Sequence, residues 1–509
     1  MFVREVNGDL NKTLTSKRLV VVGGPPGSGK SLSIWWFALE YARLHPETRI
    51  VWIEATKRTI TVLHRNRIKG HSVDSFPINA DDFVFIDQIV SQEHYFQHLR
   101  RFGELKSGTG KLVLVTAQKL NFKTQSVEDH QGKVFTFPAW RLEQYKEACN
   151  YAAFFQSVKY PLGAVQTAPA YVPPAVHLPI AIMGPPVVDL PPPPPPDTAP
   201  DTALVGVPDY TDECTRNALI EKKFYFAGNS ARWMFGAFCT TEKVKQEIED
   251  YALRIGSLED AFRGYIGPYT AHSYNHLFIE SGKSVVPISQ YAMRYMTECL
   301  DFDRFLRFSR YCHLNFASKH PSLDGQVLII DTEKALKNNT INARVRRVEL
   351  VNGKYIIAHA AVTDFTVAAT VDFQDENHVP GAHNNFGPNT WFFPESSNQG
   401  GFDFVQLLQR MDATGAARNV LRFLQVHRAN APALNINCIR MFAQSFNHGR
   451  HEASVPPPVL NIEVAIITTT TQHATNYKTN PPTQIIGNEA GFWQEDQLQL
   501  YAFTRIHEL

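Results

Sequence analysis

The stretch VVVGGPPGSGKS, Val20 to Ser31, constrains the fold of this 509-residue chain more than any other. An apolar β-run ends in Gly23 and a loop carrying Gly24, Gly27 and Gly29, with Lys30 and Ser31 following at the head of a helical stretch. Glycine visits positive φ without a Cβ penalty, so such a loop can turn its amides toward one point. The following helix adds its positive end, and the whole becomes an anion cradle. In the spacing Gly24-x-x-x-x-Gly29-Lys30-Ser31, the lysine is expected to reach the β- and γ-phosphates of ATP or GTP. The serine hydroxyl is expected to ligate Mg²⁺.

A loop of this kind needs a parallel sheet to carry it. The runs RLVVV (18–22), RIVWIEA (49–55), DFVFID (82–87) and KLVLVTA (111–117) alternate with amphipathic stretches, the pattern of an α/β domain. Asp87, closing the third run, is expected to hold the magnesium through water, although a carboxylate there also suits a helix cap. Gln88 follows it, where many vigorous ATPases place the glutamate that polarises water. Nucleotide binding is therefore a firmer expectation than fast hydrolysis. Thr116, at the end of the fourth run, is left with two roles, a sensor of the γ-phosphate or a cap for the next segment.

Composition narrows the classes. The net charge of +1, from 50 basic and 49 acidic residues, excludes a generally basic DNA-coating protein, so a nucleic-acid site must be a local patch. The length calls for two or three cores. Cysteines 149, 214, 239, 299, 312 and 438 form no CxxC pair, which argues against a zinc ribbon or a disulfide framework and for a reducing compartment. No apolar run approaches the roughly 18 residues of a membrane span, so no membrane association is expected. The start, MFVREVNGDLNK, carries charges where a signal peptide has its apolar core.

Fifteen of the 32 prolines fall between 161 and 208, including six in a row at 191–196, and this tract reads as extended or disordered. An inert spacer and a docking site for an SH3- or WW-like partner are both open readings. From 210 to about 315 the pattern is helical, and from about 316 it returns to mixed helix and strand.

Several blocks together resemble the C-terminal regions of Crinkler effectors and the related retrotransposon hot spot proteins. They are FVREVNGDLNKTLTSKRLVVVGGPPGSGKS, PAWRLEQYKEA (138–148) and KKFYFAGNSARWMFG (222–236), and FAGNSARWMFG is the most specific. The resemblance implies an α/β chain in which a P-loop NTPase parallel sheet with a helical lid precedes an α/β restriction-endonuclease-like domain. On that reading residues 1–160 are the NTPase core, 161–208 a proline-rich insertion, 209–315 the lid and 316–509 the nuclease domain. It also implies a secreted product acting in the host cell nucleus as a DNA-damaging toxin, with double-stranded DNA as partner. Neither the amino-terminal header nor the LFLAK-type segment of that family is present in this sequence, and RVRR (344–347) is its nearest approach to a nuclear-localisation cluster. Arg232 is then the lid cation that reaches the γ-phosphate, for which guanidinium geometry is suited, with an ordinary salt bridge as the other reading.

Restriction-type nucleases hold a divalent metal between an aspartate on one strand and an acid-x-lysine on the next. The family shows QGG[FY]D followed by QV and a polar residue. By that match Asp403 is the metal ligand, Gln425 a neutral ligand, and His427 stands where lysine would. A glutamine carbonyl brings no charge to a Mg²⁺ site, and histidine is a permanent cation only well below neutral pH. These departures put turnover in question more than fold. The block HPSLDGQVLIIDTEKAL (320–336) matches the helix on which the family carries a third acid, and Asp331 and Glu333 are its candidates, with a solvated helix face as the alternative. Arg428, Arg440 and Arg450 are candidates for phosphate contacts. The competing reading of the chain is a nucleotide-switched interaction or nucleic-acid-remodelling protein whose nuclease-like domain does no chemistry.

Overall fold

The computed structural model describes residues 5–57, 59–65, 67–72, 77–89, 109–116, 127, 132–163, 212–263, 274, 276–281, 284–316, 320–351, 354–358, 362–363, 365–373, 386–395, 402–411, 414–415, 417–426, 436–451, 461–469 and 498–505. The proline-rich tract after Gly163, His427 and Arg428 lie outside the described residues, as does the side chain of Arg450.

The first unit is built on seven strands: β1 (Leu19–Gly23), β2 (Ile50–Glu54), β3 (Thr59–His64), β4 (Arg67–Ser72), β5 (Phe83–Ile89), β6 (Lys111–Thr116) and β7 (Lys133–Thr136). Their order is β4-β3-β2-β5-β6-β1-β7. From β2 to β7 every pairing is parallel, while β3 and β4 add an antiparallel hairpin at one edge. Both faces are buried, which is why these strands read as unbroken apolar runs. Helices α1 (Val6–Ser16) and α2 (Lys30–Leu44) cover one face, with Leu10, Leu14, Ile34 and Phe37 packed on Val20, Val22, Phe83 and Phe85. Strand β6 separates the glycine-loop strand β1 from the acid-bearing strand β5.

The second unit is helical, with a single core running in sequence from Trp140 to Ile330. Helices Leu142–Asn150 and Ala152–Leu162 belong to it by packing, although the sequence reading groups them with the sheet. Helices Glu213–Ala227, Ala231–Phe235, Thr241–Ala252, Leu258–Phe262, Gln290–Glu298 and Phe302–Phe316 complete it. A hairpin of β8 (Phe278–Ser281) and β9 (Ser284–Pro287) lies among them.

The third unit is an eight-stranded mixed sheet: β10 (Val345–Val351), β11 (Lys354–Ile357), β12 (Ala369–Phe373), β13 (Thr390–Pro394), β14 (Phe404–Met411), β15 (Ala417–Val426), β16 (Asn461–Thr468) and β17 (Leu498–Phe503). The order is β11-β10-β17-β16-β15-β14-β13-β12. Strands β13, β14 and β15 pair antiparallel in turn, and β16 joins β15 in parallel. Helix Ile436–His451 covers one face, setting Ile439, Phe442 and Phe446 against Val405, Leu421 and Phe423. Helix Pro321–Lys337 covers the other with Leu328, Ala335 and Leu336 against Phe404, Leu424 and Ala465.

That last helix serves two cores at once. Its Leu323, Val327 and Ile330 pack into the helical unit. At its first turn Asp324 is held by both terminal nitrogens of Arg505, at 2.8 Å each, with both side chains buried. The junction near residue 316 is therefore a shared, buried element and not a linker.

Candidate functional site

The glycine loop closes as its spacing requires. Gly24, Gly27 and Gly29 have φ of 148°, 71° and 91°, values that L side chains rarely adopt. A Cβ on Gly24 would collide with the carbonyl oxygen of Phe137, and one on Gly27 with the hydroxyl of Ser230. Lys30 opens α2 and is 6% exposed. Its ammonium donates to the carbonyls of Gly24 and Pro25, each at 2.8 Å, and to the Ser28 hydroxyl at 3.4 Å. Burial pulls its pKa down to about 7; Asp87 opposes that shift, and the positive charge of Arg232 adds to it. A buried ammonium folded back on loop carbonyls, with a second cation nearby, would be favoured by an added anion.

Asp87 sits on an irregularity in β5, where the register with β6 shifts between Ile86 and Ile89. Its Oδ1 accepts the Ser31 hydroxyl and the Gln88 N–H, both at 2.9 Å, and burial raises its pKa above the usual carboxylate range. Gln88 has φ of 63°, and its exposed side chain accepts a hydrogen bond from the Thr56 hydroxyl. Serine hydroxyl and carboxylate thus meet where a Mg²⁺ ion would take the hydroxyl as ligand and the acid through water. Thr116 is 1% exposed and donates to the Ile89 carbonyl at 3.0 Å, so its hydroxyl is engaged inside the sheet.

The helical unit closes the loop from above. The Ala231 N–H donates to the Gly27 carbonyl at 2.9 Å, and Ser230 caps the short helix that carries Arg232. Arg232 is exposed, and its Cβ lies beside Gly27. Among the described residues its guanidinium has no carboxylate partner, so the salt-bridge reading is not realised there. Trp140 donates its indole N–H to the Ser28 carbonyl at 2.9 Å, and Asn229 Nδ2 donates to the Trp140 carbonyl at 2.5 Å. Loop, PAWRLEQ block and GNSARW block therefore meet in one place. The bonding roles of Trp140, Asn229 and Ser230 escaped the sequence reading, and their only signal was membership of the resembling blocks.

In the C-terminal sheet, Asp403 stands one residue before β14 and Gln425 near the end of β15. Phe404 pairs with Leu424, and the next step out along this register sets Asp403 level with Gln425. Asp403 Oδ2 accepts the Val426 N–H at 2.7 Å, and its N–H donates to the Leu424 carbonyl at 2.7 Å. Burial drives its carboxyl pKa up to about 7, against the pull of that amide. The Oε1 of Gln425 is buried and has no hydrogen-bond partner among the described residues. A carboxylate and an orphaned amide oxygen, both hard donors, suit a hard divalent cation, but among the described residues no three His, Cys, Asp or Glu side chains gather at one point.

The third-acid candidates do not join them. Asp331 pairs with Arg344 at 2.6 Å, and Glu333 with Arg294 and Lys337 at 2.9 Å each. Both ride on helix Pro321–Lys337, across the sheet from the face that Gln425 shares with Leu421 and Phe423. Nor are they a solvated helix face, since both are buried. Arg440 lies on helix Ile436–His451 and is half-buried.

No family model matches the chain, and no curated protein matches it. Among solved structures it is similar to a signal transduction ATPase with numerous domains (STAND) that carries a tetratricopeptide repeat sensor, from Pyrococcus horikoshii. The identity is 10% and the TM-score 0.19, over 67% of this chain and 50% of that one. The chain thus spans half the length of that neighbour.

Proposed function

We propose that this protein binds a Mg²⁺–nucleoside triphosphate in the glycine loop and uses it to regulate a Mg²⁺-dependent DNA endonuclease site at Asp403 and Gln425. The observation that carries the first half is the closure of the loop by Ser230 and Ala231, beside Arg232, whose guanidinium has no carboxylate partner among the described residues. Lys30 would hold the β- and γ-phosphates, Ser31 the metal, Asp87 the metal's water, and Arg232 would meet the γ-phosphate at the lid. Gln88 is neutral and cannot take a proton from water, so turnover of ATP is slow.

The second half is supported by two features of the sheet. Asp403 and Gln425 stand at the same end of adjacent antiparallel strands, and their register sets them level with each other. The bound metal would activate water and offset charge on the phosphorane. Damage to nuclear DNA in a host cell as the biological outcome rests on the Crinkler resemblance. The ion-paired state of Asp331 and Glu333 favours a second reading, a nucleotide-switched scaffold in which this site no longer cuts.

Calorimetric titration with Mg²⁺–ATP tests the first half. Wild-type protein binds, Lys30→Ala does not, and Arg232→Ala separates ATP from ADP less well. Equal binding by Lys30→Ala would remove the proposal.

A further inference from the structure

Direct contacts lead from the glycine loop to the strand end beside Asp403. Gly27 lies against Ser230, and the residue before it, Asn229, donates its N–H to the Ile288 carbonyl at 3.0 Å. Gly228 is pressed on that same carbonyl, closely enough that a Cβ would collide with it. Ser289 then caps helix Gln290–Glu298, accepting the Ala292 N–H at 3.0 Å.

One turn further on the same helix, Arg294 uses every part of its guanidinium. Nη1 donates to the carbonyls of Pro394 and Glu395, at 3.0 and 3.1 Å. Nη2 donates to Glu333 at 2.9 Å and Nε to Glu298 at 2.8 Å. A parallel link starts at Trp233, next to Arg232, whose indole donates to Glu247 at 2.9 Å. Glu247 shares helix Thr241–Ala252 with Lys245, which pairs with Glu395 at 2.5 Å. Phe392 pairs with Val405, so two residues further out Pro394 stands level with Asp403. Two lid helices thus grip the end of β13 at the height of the candidate metal ligand.

We infer that Arg294 and Lys245 are positioning residues that convey the occupancy of the glycine loop to the strand end at Asp403. The relay rests on the nucleotide-binding reading above, and its chemical consequence on the metal-site reading as well. The locking of all three nitrogens of Arg294 makes the link stiff, because a planar fork held at each donor moves as one body with its helix. A γ-phosphate meeting Arg232 and Ser230 shifts the Gly228–Ser230 turn, and the turn carries Ile288 and its helix with it. Nucleotide acts on Asp403 only to the extent that it binds the two lid positions unequally, and couplings of this kind commonly span about 5- to 150-fold in affinity.

Hydrogen exchange of the β14 amides tests the relay, measured with and without a non-hydrolysable ATP analogue and Mg²⁺. In wild-type protein the analogue alters protection at β14. Lys245→Glu and Glu395→Lys each abolish that response while still binding the analogue, and the double charge swap restores it. Arg294→Lys keeps the charge, loses the paired carbonyl contacts and weakens the response. An unresponsive β14 in wild type, or a full response in either single charge variant, overturns the relay. So does a double variant that binds nucleotide without recovering. Plasmid cleavage followed in parallel separates the two readings: absent cleavage with intact coupling removes the metal site and leaves the relay.

Discussion

Lys30 gives up its hydration to the loop, and burial leaves its ammonium with a pKa of about 7. A bound triphosphate raises that value, so above pH 7 binding must take up a proton. Nucleotide affinity is expected to fall as pH rises from 7 to 9, and titrations in buffers of different ionisation enthalpy will show the uptake. Burial shifts Asp403 upward instead. Its folded pKa of about 7 lies above the model value of 3.8, so its contribution to stability is present at low pH and is lost as pH rises through 7. Without divalent cations, the stabilisation of the third unit by Asp403→Asn should grow from pH 4 to pH 7 and level off above it, as seen in denaturant melts. Trp140→Phe keeps the aromatic bulk but removes the bond to the Ser28 carbonyl. A neutral hydrogen bond of this kind is worth about 1 kcal/mol, so affinity for Mg²⁺–ATP should fall several-fold. Of these residues only Lys30 and Asp403 were singled out in the sequence. Each belongs to a local pattern, whereas Trp140 meets Ser28 from 112 positions away.

The Gly228–Ser230 turn shows the same divide at the level of elements. The sequence block marks it as special, but its neighbours, Gly27 and Ile288, come from two different units. Gly228 has φ of 53° and no room for a Cβ. Gly228→Ala is therefore expected to cost about 2 kcal/mol or more and to impair nucleotide binding, checked by denaturation and titration together. The parallel strands β1, β2, β5 and β6 could be read within a residue or two because each is buried on both faces and so is apolar throughout. The β3–β4 hairpin was not drawn. Its turn uses Arg65 at φ of 51°, without the Asn-Gly or Asp-Gly pair that usually announces one. Helix Pro321–Lys337 falls on a block singled out in the sequence, yet the burial of its acids in ion pairs depends on Arg294 and Arg344, which no local pattern reveals.

Across the whole molecule, the shared helix Pro321–Lys337 joins the helical and C-terminal units. It places apolar side chains in both the helical core and the sheet core, and Arg505 fixes its first turn from the far end of the chain. Arg505→Ala would take both guanidinium donors from the buried Asp324 carboxylate, a loss of about 3–5 kcal/mol. The expected outcome is a lowered melting transition shared by the helical and C-terminal units. The predicted boundary near 316 follows a real change in sequence pattern, but packing crosses it, because a helix with two apolar faces cannot leave either one in water.

The central claim is that nucleotide at the glycine loop governs metal-dependent cleavage at Asp403. A plasmid-cleavage assay with Mg²⁺ or Mn²⁺ tests it most directly, comparing wild type, Asp403→Ala and Lys30→Ala with and without ATP. The account predicts nicking by wild type that responds to ATP, none by Asp403→Ala, and ATP-insensitive behaviour by Lys30→Ala. Equal nicking by wild type and Asp403→Ala, or intact DNA throughout, would contradict it.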